Sequence, residues 1–242
     1  DDAAHMTRVR DGVIAILPDA SDILRPALYY LLSQIGDTES IAALEKAAET
    51  DSVAELQKII FALSYSRGRA ADQLMLKLAK LDKQTASVVA SQSVRRMVLG
   101  PKGFGDITNA ERLDFAEPML KLHIDLRLVG FLANVHEARA LRALMYCLEN
   151  GVEDAAESLV ANAEGMGKLS AADSKIAAKA IRDVIEYIEV SHLRGGPTAH
   201  MKKEDNYYGW KTLQARAGKV LLKIHKPEAA PIPEFDPLDL DP

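Results

Sequence analysis

The sequence predicts an all-α protein, an α-solenoid (superhelix) of about five helical hairpins with a C-terminal capping helix. Apolar residues recur at three- and four-residue steps along most of the chain, which is the spacing of one face of an amphipathic helix. A short pattern also returns at intervals of 31, 36 and 33 residues, with anchors at Leu32, Leu63, Leu99 and Leu132. Periods of this length are typical of stacked helical repeats. Aromatic residues make up only 5% of the chain, and clusters of strand-forming residues are nearly absent.

The first hairpin contains the clearest copy of the pattern. Its first helix is expected to run from about Asp22, acting as N-cap, to Ile35. The expected apolar face of this helix consists of Leu24, Ala27, Leu28, Leu31, Leu32 and Ile35. Gly36 should end the helix, because glycine accepts the left-handed conformation of a C-terminal cap. Thr38 or Ser40 is expected to cap the second helix.

The next four hairpins follow the same plan, and each is recognised by its apolar stripes. The stripes are Leu56, Ile59, Ile60 and Leu63 with Leu74, Leu78 and Leu81 in the second hairpin; Val88, Val94, Met97 and Val98 in the third; Leu126, Val129 and Leu132 with Leu141, Leu144, Met145 and Leu148 in the fourth; and Val152, Ala155, Ala156, Leu159 and Val160 with Ile181, Val184, Ile185 and Ile188 in the fifth. The third hairpin has a longer turn, residues 100–106, before a helix from about Asn109. Pro118 is expected in the first turn of a further helix, because proline breaks helix interiors.

Composition divides the chain into four segments. Residues 1–21 form an N-terminal segment that opens with a sequence typical of an expression-tag remnant. Residues 22–192 form the solenoid. Residues 193–226 form a basic, aromatic loop and a last helix, which departs from the hairpin plan and is expected to cap the array. Residues 227–242 form an acidic, proline-rich tail, for which we expect an extended or disordered chain.

The repeated pattern resembles a known family of helical repeats. Residues 32–44 read L-x-x-I-G-D-x-x-x-I-x-x-L, which resembles the HEAT-like repeats and most of all the short bacterial type named after phycobilisome lyases. The fourth copy departs from it, with His136-Glu137 in place of Gly-Asp. The resemblance covers residues 22–192 and implies a bacterial, curved solenoid that offers a concave surface to a partner. It does not imply lyase chemistry, because fold alone does not set function.

Charge and cysteine content exclude several classes of function. The net charge of -5 gives no general attraction to nucleic acid or to an anionic membrane. Cys147 is the single cysteine, so the chain can form neither an internal disulfide nor a zinc site of several thiolates. No apolar run reaches the roughly 18–20 residues that span a bilayer. We expect a cytoplasmic protein by default, or a periplasmic one if a native leader has been removed.

Candidate catalytic and metal-binding groups are few, and no cofactor is expected. Glu189 and His192 have the Glu-x-x-His spacing of carboxylate di-iron sites, but such a site needs a second motif on a facing helix. Cys147 lies on the apolar stripe of its helix, and we expect a buried thiol with a raised pKa. The turn at residues 100–106 lacks the ending of a phosphate-binding P-loop. We interpret it as an elaborated turn in which Phe104 could contact a partner.

The most informative candidate binding segment is residues 191–226. It carries eight positive residues against two negative ones, a net charge of +6, with aromatic residues from Tyr207 to Trp210. Three interpretations stay open. The segment could be solvated or bind the tail of the same chain, whose five acidic residues give a charge of -5. It could anchor a protein partner, because Tyr, Trp and Arg dominate interface hot spots. It could also bind nucleic acid or another anion.

We therefore expect a non-enzymatic scaffold or adaptor that binds a protein partner through its concave face and the C-terminal aromatic-basic loop. The expected contact residues are Arg194, Tyr207, Tyr208, Trp210 and Phe104. One alternative is a nucleic-acid-binding HEAT-like protein, which is less favoured because the positive charge is confined to one segment. A second alternative is a lyase or another enzyme built on a HEAT-like solenoid.

Overall fold

Twelve α-helices and one pair of two-residue strands make up the part of the chain that the structure, a computed structural model, describes. This part comprises residues 2–66, 69–100, 103–104, 108–167, 169–193 and 203–225. The helices are α1 (Asp2–Ile16), α2 (Arg25–Ile35), α3 (Thr38–Ala47), α4 (Val53–Leu63), α5 (Ala70–Leu78), α6 (Lys83–Val98), α7 (Asn109–Leu122), α8 (Leu126–Leu132), α9 (Ala138–Glu149), α10 (Asp154–Gly165), α11 (Ala171–Leu193) and α12 (Lys203–His225). Strands β1 (Leu99–Gly100) and β2 (Gly103–Phe104) pair antiparallel between α6 and α7. The all-α prediction is confirmed.

Helices one or two places apart in the chain provide the main tertiary contacts of the described residues. α2 packs with α3, α4 with α5, α6 with α7, α8 with α9 and α10 with α11, which are the pairs expected as hairpins. Each even-numbered helix from α2 to α12 also contacts the next even-numbered one, and we call this series the even row. The odd-numbered helices α1 to α11 form the odd row in the same way. One hydrophobic cluster runs through both rows, from Val13 in α1 to Val220 in α12.

The turn between α2 and α3 has the geometry that its glycine predicts, although the N-cap of α3 is a different residue from the two expected. Gly36 has a φ of 67°, and its N–H donates to the carbonyl oxygen of Leu32 at 2.9 Å. α3 is capped by Asp37, not by Thr38 or Ser40. The Asp37 carboxylate accepts a hydrogen bond from the backbone N–H of Ser40 at 2.8 Å, because Asp37 has the extended backbone conformation of an N-cap.

Three helix assignments differ from the sequence-based expectation. α2 begins at Arg25 and not near Asp22, since Pro26 occupies its first turn, where a missing N–H costs nothing. Pro118 lies inside α7 and starts no new helix. It is on the exposed side of α7, where water can hydrate the carbonyl group left without a donor. α1 occupies the N-terminal segment, for which no helix was predicted.

Several apolar residues that were expected on buried stripes are exposed. Leu24 and Leu31 are 44% and 43% exposed, and Ala27 is exposed with them. These three residues lie on α2 or just before it, and α2 buries only a narrower side. Leu81 and Leu126 are exposed as well. Leu81 lies beyond the end of α5 and Leu126 is the first residue of α8, so neither is surrounded by neighbouring helices.

Buried polar side chains connect adjacent hairpins through the ends of even-row helices. Arg96 on α6 is fully buried, and it donates to Asp72 Oδ1 at 2.6 Å and to the carbonyl oxygen of Ser66 beyond α4. Arg69 binds the other oxygen of the same carboxylate at 2.9 Å. Asn162 on α10 donates to the carbonyl oxygen of Leu132, the last residue of α8, at 2.7 Å and to that of Val135 at 2.5 Å. These donors thus satisfy carbonyl groups at or just beyond the ends of α4 and α8, where the helix itself supplies no N–H.

Candidate partner-binding surface

Four side chains from neighbouring even-row helices form a partly exposed cluster that we call the aromatic patch. It consists of Tyr30 on α2, Phe61 on α4, Tyr65 just after α4 and Arg95 on α6. Tyr30 and Phe61 are 42% and 47% exposed. The ring centroids lie 5.7 Å apart for Tyr30 and Tyr65, and 5.2 Å apart for Phe61 and Tyr65, both edge to face. Such aromatic pairs contribute about 0.5–1.5 kcal/mol beyond the area that they bury.

The guanidinium group of Arg95 is stacked on this cluster. Its Cζ atom lies 4.6 Å from the ring centroid of Tyr65 and 5.2 Å from that of Phe61, within the range of a cation–π interaction. Its Nη1 donates to Gln92 Oε1 at 3.1 Å. Among the described residues, no carboxylate forms an ion pair with Arg95. The patch therefore combines apolar ring surface with a positive charge that is held in place by neutral groups.

Local helix geometry explains why the patch forms. Phe61 lies in the last turn of α4 and Tyr65 four residues later, just beyond its end, so the two rings meet, while the apolar stripe of α4 is buried. The Tyr29 hydroxyl donates to Glu55 Oε1 at 2.6 Å and fixes α2 against α4. Burial, and then the hydrogen bond to Glu55, raises the pKa of Tyr29, so the phenol stays protonated and donates. The Gln34 amide donates to the Tyr65 carbonyl oxygen at 2.8 Å. Contacts on both sides thus hold Tyr65 in position.

The odd row presents a different surface, on which ion pairs join neighbouring helices. Arg139 on α9 bonds to Asp114 at 2.7 Å and to Glu117 at 2.8 Å, both on α7. Lys77 on α5 pairs with Glu45 on α3. Ion pairs of this kind at the surface contribute about 0–1 kcal/mol each. The odd row is therefore typical of a solvated face, and the aromatic patch is the stronger candidate for binding.

A groove between α8 and α10 continues the even row beyond the patch. Its volume is about 290 Å³. It is lined by Leu126, Gly130, Ala133, Asp154, Glu157, Ser158 and Ala161. Small side chains on both helices leave the space open, and two carboxylates stand on its α10 side. The even row thus offers a cationic aromatic region over α2 to α6 and an acidic groove over α8 to α10.

The expected contact residues lie at the limits of the described structure. Phe104 belongs to β2, and Tyr207, Tyr208 and Trp210 belong to α12, but the side chains of all four lie outside the described residues. Arg194 lies outside them altogether. The structure therefore places three of these residues on one helix and brings none of their side chains into a described site. The acidic tail, residues 227–242, also lies outside the described part.

Sequence reasoning missed the aromatic patch, although a signal for it exists. Tyr30 and Phe61 each stand two residues before a repeat anchor, so they occupy equivalent positions one repeat apart. Residues one period apart on neighbouring even-row helices lie side by side, as the Gln34–Tyr65 hydrogen bond shows across 31 residues. Aromatic residues at equivalent repeat positions were therefore the indication of a shared surface.

Of the candidate catalytic and metal-binding side chains, the structure describes that of Cys147. Cys147 is buried as expected, and burial raises the pKa of its thiol to about 11. No group of three His, Cys, Asp or Glu side chains in the described ranges could hold a metal ion. Of the Glu-x-x-His pair, the side chains of Glu189 and His192 lie outside the described residues.

Two further findings bear on the class of protein. Within the described ranges, no helix is both long enough and apolar enough to cross a bilayer. Comparisons with protein-family models, with curated proteins and with solved structures find no match. The resemblance to HEAT-like repeats therefore stays a prediction from the residues themselves.

Proposed function

We propose that this chain is a non-enzymatic scaffold or adaptor, an α-solenoid of HEAT-like hairpins that binds a protein partner through the aromatic patch of the even row. The observation that carries this proposal is the cluster of Tyr30, Phe61 and Tyr65 under Arg95. The C-terminal aromatic-basic segment, with Arg194 and Trp210, remains a second proposed contact region.

The contact pattern of the helices supports the solenoid part of the proposal. In a solenoid each repeat contacts only its neighbours, because the repeats are added along one direction. The described helices contact chiefly the helices one and two places away, in two parallel series. The side-chain contacts follow the same rule, since Arg96 reaches the Ser66 carbonyl and Asn162 reaches that of Leu132 across 30 residues in each case.

The composition of the patch supports binding to a protein. Tyr and Arg are among the residues that dominate interface hot spots, and interface cores are enriched in aromatic side chains. Soluble proteins seldom leave such rings exposed together without a function. The rings of Phe61 and Tyr65 already hold Arg95, so little side-chain entropy is lost when a partner binds.

The chemistry of the patch indicates what the partner should present. Apolar or aromatic side chains would cover the exposed rings of Tyr30 and Phe61. A carboxylate would pair with the Arg95 guanidinium, which has no acidic partner among the described residues. Such a pair gains strength as the surrounding rings exclude water. We therefore expect a partner segment that carries an acidic residue beside apolar ones.

Affinity capture from the native source tests the proposal with matched variants. The wild-type chain is compared with the double variant Phe61→Ala/Tyr65→Ala and with Tyr146→Ala, an aromatic substitution on the odd row. Truncation of a hot-spot residue costs at least about 2 kcal/mol, which weakens binding by about 30-fold. We expect the patch variant to lose the captured partner and Tyr146→Ala to keep it, as measured by quantitative mass spectrometry.

Two results would contradict the proposal. If the patch variant captures the same proteins at full yield while Tyr208→Ala/Trp210→Ala loses them, the binding site lies in the C-terminal segment. If the wild-type chain instead binds labelled duplex DNA tightly, with an affinity that falls steeply as salt is added, the nucleic-acid alternative applies. Circular dichroism of each variant must show an unchanged helix content for the comparison to count.

A further inference from the structure

A groove between α7 and α9 lies on the odd row. Its volume is about 220 Å³, and its lining consists of Glu117, Leu120, Lys121, Arg142, Ala143 and Tyr146. Leu120 and Ala143 are buried, Tyr146 is half-buried, and Lys121 and Arg142 are exposed. The groove thus has an apolar base and two cations at its rim.

An ion pair joins the two helices beside the groove and compensates the carboxylate of its lining. Arg139 on α9 donates from Nε and Nη2 to the two oxygens of Glu117 on α7, each at 2.8 Å. Its Nη1 also lies 2.7 Å from Asp114 Oδ1. These hydrogen bonds to Glu117 and Asp114 raise the pKa of Arg139. The charge of Glu117 is therefore balanced outside the groove.

The register of this ion pair places the two cations of the groove opposite each other. Lys121 lies four residues after Glu117 on α7, and Arg142 lies three residues after Arg139 on α9. Both are therefore about one turn beyond the ion pair. Neither side chain forms an ion pair or a hydrogen bond with a residue of the described ranges. Two like charges that face each other repel, and an anion bound between them would remove that repulsion.

Tyr146 adds a hydroxyl group to the same site. It lies four residues after Arg142, so the two side chains share one side of α9. In the described part of the chain its hydroxyl has no hydrogen-bond partner. An ammonium, a guanidinium and a hydroxyl group can all donate to one anion. A phosphate group offers three strong acceptor oxygens for three such donors, and the planar guanidinium matches its geometry.

We propose that the α7–α9 groove binds a phosphate monoester with a small apolar body. The phosphate group lies between Lys121 and Arg142 and accepts a hydrogen bond from the Tyr146 hydroxyl. The apolar body covers Leu120 and Ala143. A phosphate monoester carries a charge of about −1.5 to −2 at pH 7, which balances the two cations. This inference is independent of the aromatic patch, because the groove belongs to the odd row.

Titration of the ¹⁵N-labelled full chain with phenyl phosphate tests the inference by NMR. Shifts of backbone amide signals locate the site and give the dissociation constant. Benzyl alcohol supplies a ring without the anion, and inorganic phosphate supplies the anion without a ring. We expect phenyl phosphate to shift the signals of residues 117–121 and 142–146. It should bind at least about 10-fold more tightly than either control compound, because each of them lacks one of the two contacts.

Three variants remove one donor each. Lys121→Gln, Arg142→Gln and Tyr146→Phe should each weaken the binding of phenyl phosphate about 10-fold, the lower end of the range for a hydrogen bond to a charged group. Lys77→Gln is the matched control, because it removes a cation of the same row that lies outside the groove. It should leave the dissociation constant unchanged. Circular dichroism checks that all four variants keep the helix content of the wild-type chain.

Four results would overturn the inference. Phenyl phosphate at millimolar concentration could leave the signals of α7 and α9 unshifted. Inorganic phosphate or benzyl alcohol could bind as tightly as phenyl phosphate, which would exclude a site with both an anionic and an apolar contact. The three groove variants could bind like the wild-type chain. Lys77→Gln could weaken binding as much as Arg142→Gln, which would indicate attraction by the overall charge of the row.

Discussion

Asp72 and Arg96 form a buried ion pair between the second and third hairpins, and replacing each in turn tests how its charge is compensated. Arg96 is fully buried, and the Asp72 side chain is 11% exposed. Asp72→Asn removes the carboxylate bonded to Arg96 at 2.6 Å. Loss of one partner from a buried pair costs about 3–5 kcal/mol, because the remaining charge is left in a medium that solvates it poorly. We therefore expect Asp72→Asn to lower the free energy of unfolding by about 3–5 kcal/mol.

Arg96→Met should lower the free energy of unfolding by less than Asp72→Asn does, because the Asp72 carboxylate is also paired with a second cation. Arg69 remains bonded to the carboxylate at 2.9 Å. Arg96→Met removes the hydrogen bond to the Ser66 carbonyl oxygen and one of the two cations paired with Asp72. Together these losses should lower the free energy of unfolding by about 2 kcal/mol. The double variant should lower the free energy of unfolding by less than the sum of the two single changes, since the two side chains interact directly and both charges of the buried pair are removed together.

Urea unfolding followed by far-UV circular dichroism at neutral pH measures these differences. A domain of ordinary stability unfolds with about 5–15 kcal/mol, so a change of 3–5 kcal/mol is well resolved when the slope of the transition is unchanged. The reasoning would be refuted if Arg96→Met cost as much as Asp72→Asn or more. It would equally fail if both single variants cost less than about 1 kcal/mol, the value typical of an exposed pair.

Three further predictions concern single positions. Asp37→Ala should lower the free energy of unfolding by about 1 kcal/mol, because α3 loses its N-cap. Asp37→Asn should lower it by less, since asparagine caps a helix equally well. Equal losses for the two variants in urea unfolding would contradict this prediction. Cys147, with a pKa of about 11, should react with iodoacetamide only after unfolding, and rapid labelling of the native chain would show an open site. The hydrogen bond from Arg216 lowers the pKa of Glu164 below 4.5, so this pair stabilises the fold above that pH and is lost as the pH falls through the lowered value. Glu164→Gln should therefore lower the free energy of unfolding by about 0.5–1 kcal/mol at neutral pH and leave it unchanged in acid, as measured by thermal unfolding. A loss of stability that is the same at both pH values would disprove the role of the charge.

Individual helices were predictable because their signals are local. The apolar steps of α4 and α9 predict which of their residues are buried, and the left-handed Gly36 follows from its place at the end of a helical pattern. α1 was missed because its sequence has no clear apolar face to recognise. The general rule that proline breaks helix interiors does not hold for Pro118, because its side of α7 is exposed.

The candidate site was less predictable than the helices. Tyr30 and Arg95 belong to different hairpins, and only the packing of α2, α4 and α6 in one row brings both of them against Tyr65. Leu31 also shows the limit of pattern reasoning. Its spacing fits the apolar stripe of α2, but the neighbouring helices do not cover it. Burial depends on the partner of a helix as well as on its own periodicity.

The sequence by itself determined that this protein is all α-helical, that the apolar stripes of α4 and α9 are buried, and where a glycine turn joins the first two hairpin helices. These features depend on residues three to four positions apart, whose interactions exist within each helix. The tertiary structure alone decided which side chains meet across helices, including the contacts of Tyr30 and Arg95 with Tyr65 in the aromatic patch and the buried pair of Asp72 and Arg96. Those contacts join residues about 24–35 positions apart, and their geometry exists only once the helices have packed into rows.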